Sequence, residues 1–344
     1  MLLFLLLCLL LLPRAAHGAA LNLWPVPGIV GALFDYDVRK GDSVIAISAK
    51  FAVSERVIIR DNELVPPYRL KPGDRLHIRN RHLVPEYLQD GAIINVPQRL
   101  IFVFRAGQLV GAYAVALGRR DWQTPTGSYT VRTLEKDKAW IVPPSIQEEM
   151  RRQDKPVVTR VPPGPDNPLG RYWIGLSLPG YGIHGTNAPS SIYRMRTHGC
   201  IRVHPDDIEM LYGQLSLHAP VKIIYAHTLL SRLDDGRIVV EVNPDVYNRG
   251  GDPLRMLRDM ARAQDLEDRI DWALAARIAR ARQGLAFEVG LALAKQGGLP
   301  QQTRTHKTEG QQWEVGSAMP ILIADASSVA SGCSHWAASP RARR

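Results

Sequence analysis

Along residues 34–78 the spacing of apolar positions changes twice. Val44, Ile47 and Phe51 stand three and four apart, which predicts one short helix, and Val57 and Ile58 supply the apolar side of a second. The pieces beside the Lys40-Gly41-Asp42 and Lys71-Pro72-Gly73-Asp74 turns read as extended, so strand, helix, helix, strand is the economical assignment. From 92 to 226 short runs rich in Val, Ile, Tyr and Phe (AIINVP, RLIFVFR, QLVGAYAVALG, GSYTVRTL, YWIGLSL, VKIIY) lie between turn signals and predict a β-rich domain. Leu100, Phe102 and Phe104 alternate there with Ile101, Val103 and Arg105, which suggests one face buried more fully than the other.

Charge and proline interrupt these strands between 136 and 170. An irregular stretch of that length inside a compact domain is usually functional or disordered; residues 146–152 suit a short helix, and the insert is expected as a flap on the substrate side. Beyond 250, Leu266, Ile270, Leu274 and Ile278 recur every four residues and predict an amphipathic helix packed on the body of the protein. Leu254, Leu257 and residues 287–294 extend this into a helical C-terminal region over 250–297, and the Gln-, Thr-, Ser- and Gly-rich residues 298–344 are expected to form a disordered tail. The fold class expected is therefore mostly β, with a small βααβ module in front and helices behind.

Composition narrows the function. A hydrophobic fraction of 45% over 344 residues excludes disorder throughout, and a formal charge of +10 is compatible with nucleic acid, an anionic membrane or an acidic polymer. No basic helix or aromatic–basic strand pattern supports nucleic acid. The apolar run MLLFLLLCLLLL before Pro13 is too short for a bilayer span, and the small residues that follow make residues 1–18 a secretory signal, cut after Gly18 or after Ala20. The expected location is the periplasm or cell envelope. Removing the signal removes Cys8 and leaves Cys200 and Cys333; with no metal-ligand spacing nearby, either the two thiols pair or one is kept as a nucleophile.

Candidate chemistry gathers in YGIHGTNAPSSIYRMRTHGCIRVHPDDIEMLY, which holds His184, His198 and Cys200 within 17 residues. A thiol needs an adjacent imidazole to yield thiolate, and the imidazole needs a third group to orient it. An extended segment would bring His198 to Cys200, whereas a tight turn would favour the distant His184, and the residues alone leave both open. Gly199 frees the backbone just before the thiol, where a peptide N–H can meet a developing oxyanion.

These residues resemble the L,D-transpeptidase catalytic domain (YkuD-like). His184-Gly185-Thr186 and Thr197-His198-Gly199-Cys200-Ile201-Arg202 stand at the family's spacing, with Thr124-Pro125-Thr126-Gly127 and Asn167-Pro168-Leu169-Gly170 as further matches over 92–226. Residues 34–78 resemble a LysM peptidoglycan-binding module through KGDSVIAIS and LKPGDRLHI, although Ile45 replaces the usual aromatic and Asp61-Asn62 the usual Asn-Pro. The resemblance implies an enzyme with no cofactor and no metal. Cys200 attacks a tetrapeptide stem, D-Ala leaves, and the thioester passes to an amine of a second stem (a 3→3 cross-link), to water (L,D-carboxypeptidase), or to a lipoprotein acceptor as in some relatives. It implies His184 as the base, oriented by the Gly185 carbonyl; His198 and Gly199 lining the oxyanion side with Cys200; and Arg202, Thr186, Thr197 and Tyr193 toward the substrate. Carbapenems would acylate the same cysteine. The partners implied are peptidoglycan stems and glycan; oligomeric state is left open.

Overall fold

The computed structural model describes residues 28–291. The expected signal sequence, Cys8, residues 292–297, the tail expected over 298–344 and Cys333 lie outside the described residues.

The N-terminal unit has the expected order. Strand Leu33–Asp37 pairs antiparallel with Arg75–Arg79, and helices Val44–Phe51 and Glu55–Asp61 stand between them. Each helix starts where a serine hydroxyl accepts a backbone N–H of its own first turn: Ser43 from Ala46 (3.2 Å) and Ser54 from Val57 (3.4 Å). Val44, Ile47, Phe51, Val57 and Ile58 all point into one small core with Leu76 and Ile78.

The catalytic-domain segment closes on itself. Eight strands form a ring in which Gln108–Gly118 pairs with Ile201–Val203 on one side and Leu100–Arg105 on the other; the neighbours then run through Gly182–His184, Tyr172–Leu176, Gly127–Lys136, Pro220–Ile224 and Gly91–Asn95 back to Leu100–Arg105. Closure removes the free edges that an open sheet would expose. Ile101 and Val103 point into the barrel, where helix Pro205–Gln214 packs Ile208 and Leu211 against them. Leu100, Phe102 and Phe104 point outward yet are equally buried, because Ala49 and Ala52 of the N-terminal unit, with Val30 and Val84, cover them. Both faces of that strand are core, which the alternation along the chain could not reveal. An ion pair between Arg194 and Glu55 adds to this junction.

The C-terminal region departs from expectation. Thr228–Arg232, Ile238–Val242 and Ala286–Glu288 form a three-stranded antiparallel sheet that the sequence reading missed, and residues 287–291 are strand and loop where helix was expected. The four-residue stripe is likewise not one helix. Helix Pro253–Ala263 ends before Asp265, which has a left-handed φ of 54°, and a new helix, Trp272–Ala281, starts at Asp271, whose carboxylate accepts the Leu274 N–H (2.9 Å). Leu266 and Ile270 lie in the connection, yet they are buried in the same cluster as Leu257 and Ile278. Burial kept the apolar spacing although the backbone is not helical throughout.

One buried carboxylate joins these parts. Glu241, fully buried on Ile238–Val242, accepts the Leu83 N–H (2.7 Å) and the side-chain amides of Gln98 (3.0 Å) and Asn243 (3.0 Å), and faces His82 Nδ1 at 3.2 Å. Linker, barrel and C-terminal sheet thus share one acceptor. Replacing Glu241 by Ala strands several buried donors, so it should cost about 3 kcal/mol or more. Glu241→Gln, which keeps one acceptor oxygen, should cost less. Denaturant unfolding of both variants checks this, and an unchanged midpoint for Glu241→Ala would remove the carboxylate's structural role.

Candidate active site

Parallel pairing brings the candidate residues together. Strand Gly182–His184 lies beside Ile201–Val203 in the register Ile183 opposite Ile201 and His184 opposite Arg202. Paired residues of neighbouring strands share a sheet face, as do residues two apart on one strand, so His184, Arg202 and the preceding Cys200 lie toward one side. Two glycines make the approach possible. Gly199, with φ of 107°, sits where a Cβ would meet the Tyr181 ring at 2.7 Å, and Gly170, with φ of 65°, packs on the Gly185–Thr186 backbone, where a Cβ would come within 2.8 Å of the Thr186 N.

The His184 ring is buried and held on two sides. Nδ1 lies 2.7 Å from the Gly185 carbonyl, and the Trp173 ring stacks on it at 5.8 Å between centroids. An imidazole against a carbonyl carries its proton on that nitrogen, which leaves Nε2 as the basic one. Burial first, then the Arg202 guanidinium, pushes the His184 pKa down to about 4, against smaller upward pulls from the Gly185 and Leu169 carbonyls. Burial also raises the Cys200 thiol, outweighing the Gly182 N–H and Arg202, which act in the other direction. Residue Cys200 is only partly covered, so the sulfur is reachable although its surroundings are dry enough to disfavour charge. Its own hydrogen bond runs to the Gly180 carbonyl (3.6 Å). Both shifts, driven first by burial, favour the uncharged forms of the thiol and the imidazole.

His198 faces elsewhere. Its Nε2 lies 2.5 Å from Glu149 Oε2, and its ring stands edge-on to Trp122 at 4.9 Å. Glu149 belongs to helix Pro144–Arg152 of the insert and also binds Arg119 (3.1 Å); the His198 bond is the main reason its carboxyl is held below the usual range. The 136–170 insert thus carries the short helix expected, starting two residues earlier, with strands Trp140–Ile141 and Arg160–Val161 paired at its base. Asn167 closes the root by donating to the Lys138 carbonyl (2.9 Å) and accepting the Leu169 N–H (2.9 Å). Beside that root a cleft of about 470 Å³ is lined by Asn167, Arg171, Gly185 and Glu209, among others, but not by Cys200 or His184.

Several residues expected at the substrate serve the loop instead. Thr197 donates through Oγ1 to the Cys200 carbonyl (2.6 Å) and accepts the Gly199 N–H (3.1 Å), so that N–H is already occupied and is not the free oxyanion donor it was expected to be. Thr186 accepts the Ala188 N–H (2.9 Å), and Tyr193 is buried at the junction with the N-terminal unit, under the Arg99 guanidinium. Arg202 stays at the site: Nη1 donates to Ser191 Oγ (2.9 Å), while its Nε is buried without a partner.

The sequence reading missed a second tier. Thr124, of the first matched motif, donates to the Gly199 carbonyl (2.9 Å) and accepts the Gly118 N–H (2.9 Å). The Tyr247 hydroxyl bridges the Thr124 N–H and the Gly118 carbonyl, both at 2.9 Å, and Arg249 reaches Thr126 and Gln123 at 3.2 Å. The hydrogen-bonding capacity of Tyr247, Glu149 and Trp173 was visible in the sequence, but no spacing tied them to the cysteine.

Comparison with known proteins gives the family. Residues 89–223 match the YkuD family, the L,D-transpeptidase catalytic domain, and residues 36–79 match the LysM domain. The chain is 30% identical to "Probable L,D-transpeptidase YcfS" of Escherichia coli over 70% of its own length and 79% of that protein. It is 26% identical to "Probable L,D-transpeptidase ErfK/SrfK" of the same organism over 69% and 79%. Among solved structures, L,D-transpeptidase 3 from Mycobacterium tuberculosis aligns with a TM-score of 0.32 and 16% identity, over 58% of this chain and 99% of that one. The chain is a LysM-containing member of the YkuD-type L,D-transpeptidase family.

Proposed function

We propose that Cys200 is the acyl-carrying nucleophile of a peptidoglycan L,D-transpeptidase and His184 its base. The observation that carries this reading is the His184 imidazole oriented by the Gly185 carbonyl, on the same sheet face as the thiol. A neutral pair suits a reaction that moves the proton only at the moment of attack: Nε2 takes the S–H proton as Sγ bonds to the carbonyl carbon before the terminal D-Ala. The carbonyl then re-forms, the C–N bond breaks, and D-Ala leaves with that proton. An amine of a second stem attacks the thioester and returns the thiol. Arg202, with a buried and unpartnered Nε, is suited to meet a substrate carboxylate or the oxyanion. The insert, tied to His198 through Glu149, favours an amine acceptor over water by covering the thioester. This reading puts the chain outside the cytoplasm, in the periplasm or envelope, with stems and glycan as its partners.

Incubation with a disaccharide-tetrapeptide and mass analysis of the products tests the assignment. Cys200→Ala should release no D-Ala and form no cross-link while unfolding at nearly the wild-type temperature; turnover by that variant would end the proposal.

The His184 pKa sets the acid limb. Since the free base is needed and its pKa lies near 4, kcat/KM should hold as pH falls through 6 and be lost only around 4. Arg202 helps depress that pKa, so Arg202→Gln should move the limb to higher pH. A wild-type limb near the ordinary histidine value of about 6.5 would point to another base.

Tyr247 acts on the nucleophile loop through Thr124. Tyr247→Phe should lower kcat about tenfold with KM nearly unchanged, because small displacements of reacting groups weigh heavily on rate. Steady-state kinetics with a soluble tetrapeptide reads this, and an unchanged kcat would leave Tyr247 a purely structural residue.

A further inference from the structure

Away from Cys200, a cavity of about 680 Å³ opens where three parts of the chain meet. Arg56 and Arg60 come from the second LysM helix, Arg99 from the barrel, and Arg280 and Arg282 from the end of the last C-terminal helix, with Gln283 beside them. No carboxylate lines the cavity. Arg60 is paired with Asp61 (2.6 Å), and Glu55, the nearest acid on the same helix, is engaged by Arg194. Among the described residues Arg56, Arg99, Arg280 and Arg282 have no acidic partner.

Solvated arginines on a surface would carry no message by themselves, but this group has an inner end. The Arg99 guanidinium lies over the Tyr193 ring at 4.0 Å, and its Nε is buried without a hydrogen-bond partner. The Gln283 Oε1 is also buried and unpartnered, and a half-turn of that amide would present N–H donors instead. Buried donors left open are uncommon in folded chains, since each costs free energy until something accepts from it. Four guanidinium groups without a carboxylate partner around one space also repel one another until an anion enters, and their planar forks match oxyanions with two or more acceptor oxygens.

We infer that this cavity is a second binding site, for a multivalent oxyanion, formed jointly by the LysM helix, the barrel and the C-terminal helix. The ligand chemistry is shared by the carboxylates of peptide stems and by the phosphates of envelope polymers or lipids. Occupancy would tie the LysM unit to the C-terminal region through charge, and it adds affinity for an anionic wall beyond that of the LysM fold alone. The site is separate from the nucleophile and does not depend on the transpeptidase assignment.

The test uses the full chain with inorganic pyrophosphate and with citrate, at ionic strength matched by chloride, followed by titration calorimetry and thermal unfolding. At least one of the two anions should bind saturably and raise the unfolding temperature. Arg280→Gln combined with Arg282→Gln should weaken that binding roughly tenfold or more, and Arg56→Gln, on the LysM side, should weaken it as well. All three positions are exposed, so the variants should fold, and turnover of a small soluble tetrapeptide should stay at the wild-type level. Tighter binding of pyrophosphate assigns the site to phosphate, and tighter binding of citrate to carboxylates. Binding of neither anion above the chloride control, or equal binding by wild type and the double variant, would overturn the inference.

Discussion

The parallel pairing of Gly182–His184 with Ile201–Val203 is the constraint on which the site depends. A cysteine and a histidine 16 residues apart meet only if their strands run side by side in one register, and a slip of one residue would turn one of them to the opposite face. The barrel enforces that register. Ile183 and Ile201 are both fully buried in its core, so slippage would bring polar neighbours into an apolar interior. The connection between the two strands, with Thr186 bonded within its first turn and Tyr193 sunk against the N-terminal unit, is fastened at both ends.

Dryness at the site comes from what packs on the outer face of these strands. Burial beneath the stacked Trp173 indole, then the half-buried Arg202 guanidinium, favour the uncharged His184 ring and outweigh two backbone carbonyls that favour the charged one. A neutral thiol is a weaker nucleophile at rest, and it is also slower to oxidise in an oxidising compartment.

Segments outside the matched catalytic domain hold that geometry in place. Tyr247 and Arg249, beyond residue 223, grip the Gly118–Thr126 stretch that in turn accepts and donates around Gly199. The LysM unit covers the outer face of Leu100–Arg105, and Glu241 joins linker, barrel and C-terminal sheet. The LysM module is therefore docked on the barrel and not carried on a free tether.

By itself the sequence determined the βααβ unit, the β-rich middle, the insert helix and the His184–Gly185–Cys200 constellation. Each of these is written locally: serine caps and three- and four-residue spacing for the helices, short β-branched runs for the strands, glycines where the backbone turns or another group approaches. It was misleading wherever burial is not periodic. Leu266, Ile270, Leu274 and Ile278 keep a helical spacing because all four face one core, while Asp265 and Asp271 break the helix between them. Thr228–Arg232 and Ile238–Val242 are strands because they pair with each other and pack on helices, and the fully buried Glu241 hid the second of them. Only the tertiary structure shows what each imidazole faces, since that depends on which strand lies beside Ile201–Val203 and on Glu149, 49 residues before His198, reaching the other imidazole. It likewise turned Thr186, Thr197 and Tyr193 inward. A side chain's partner across the fold is set by closure of the barrel and docking of its neighbours, and neither leaves a mark at any one position of the chain.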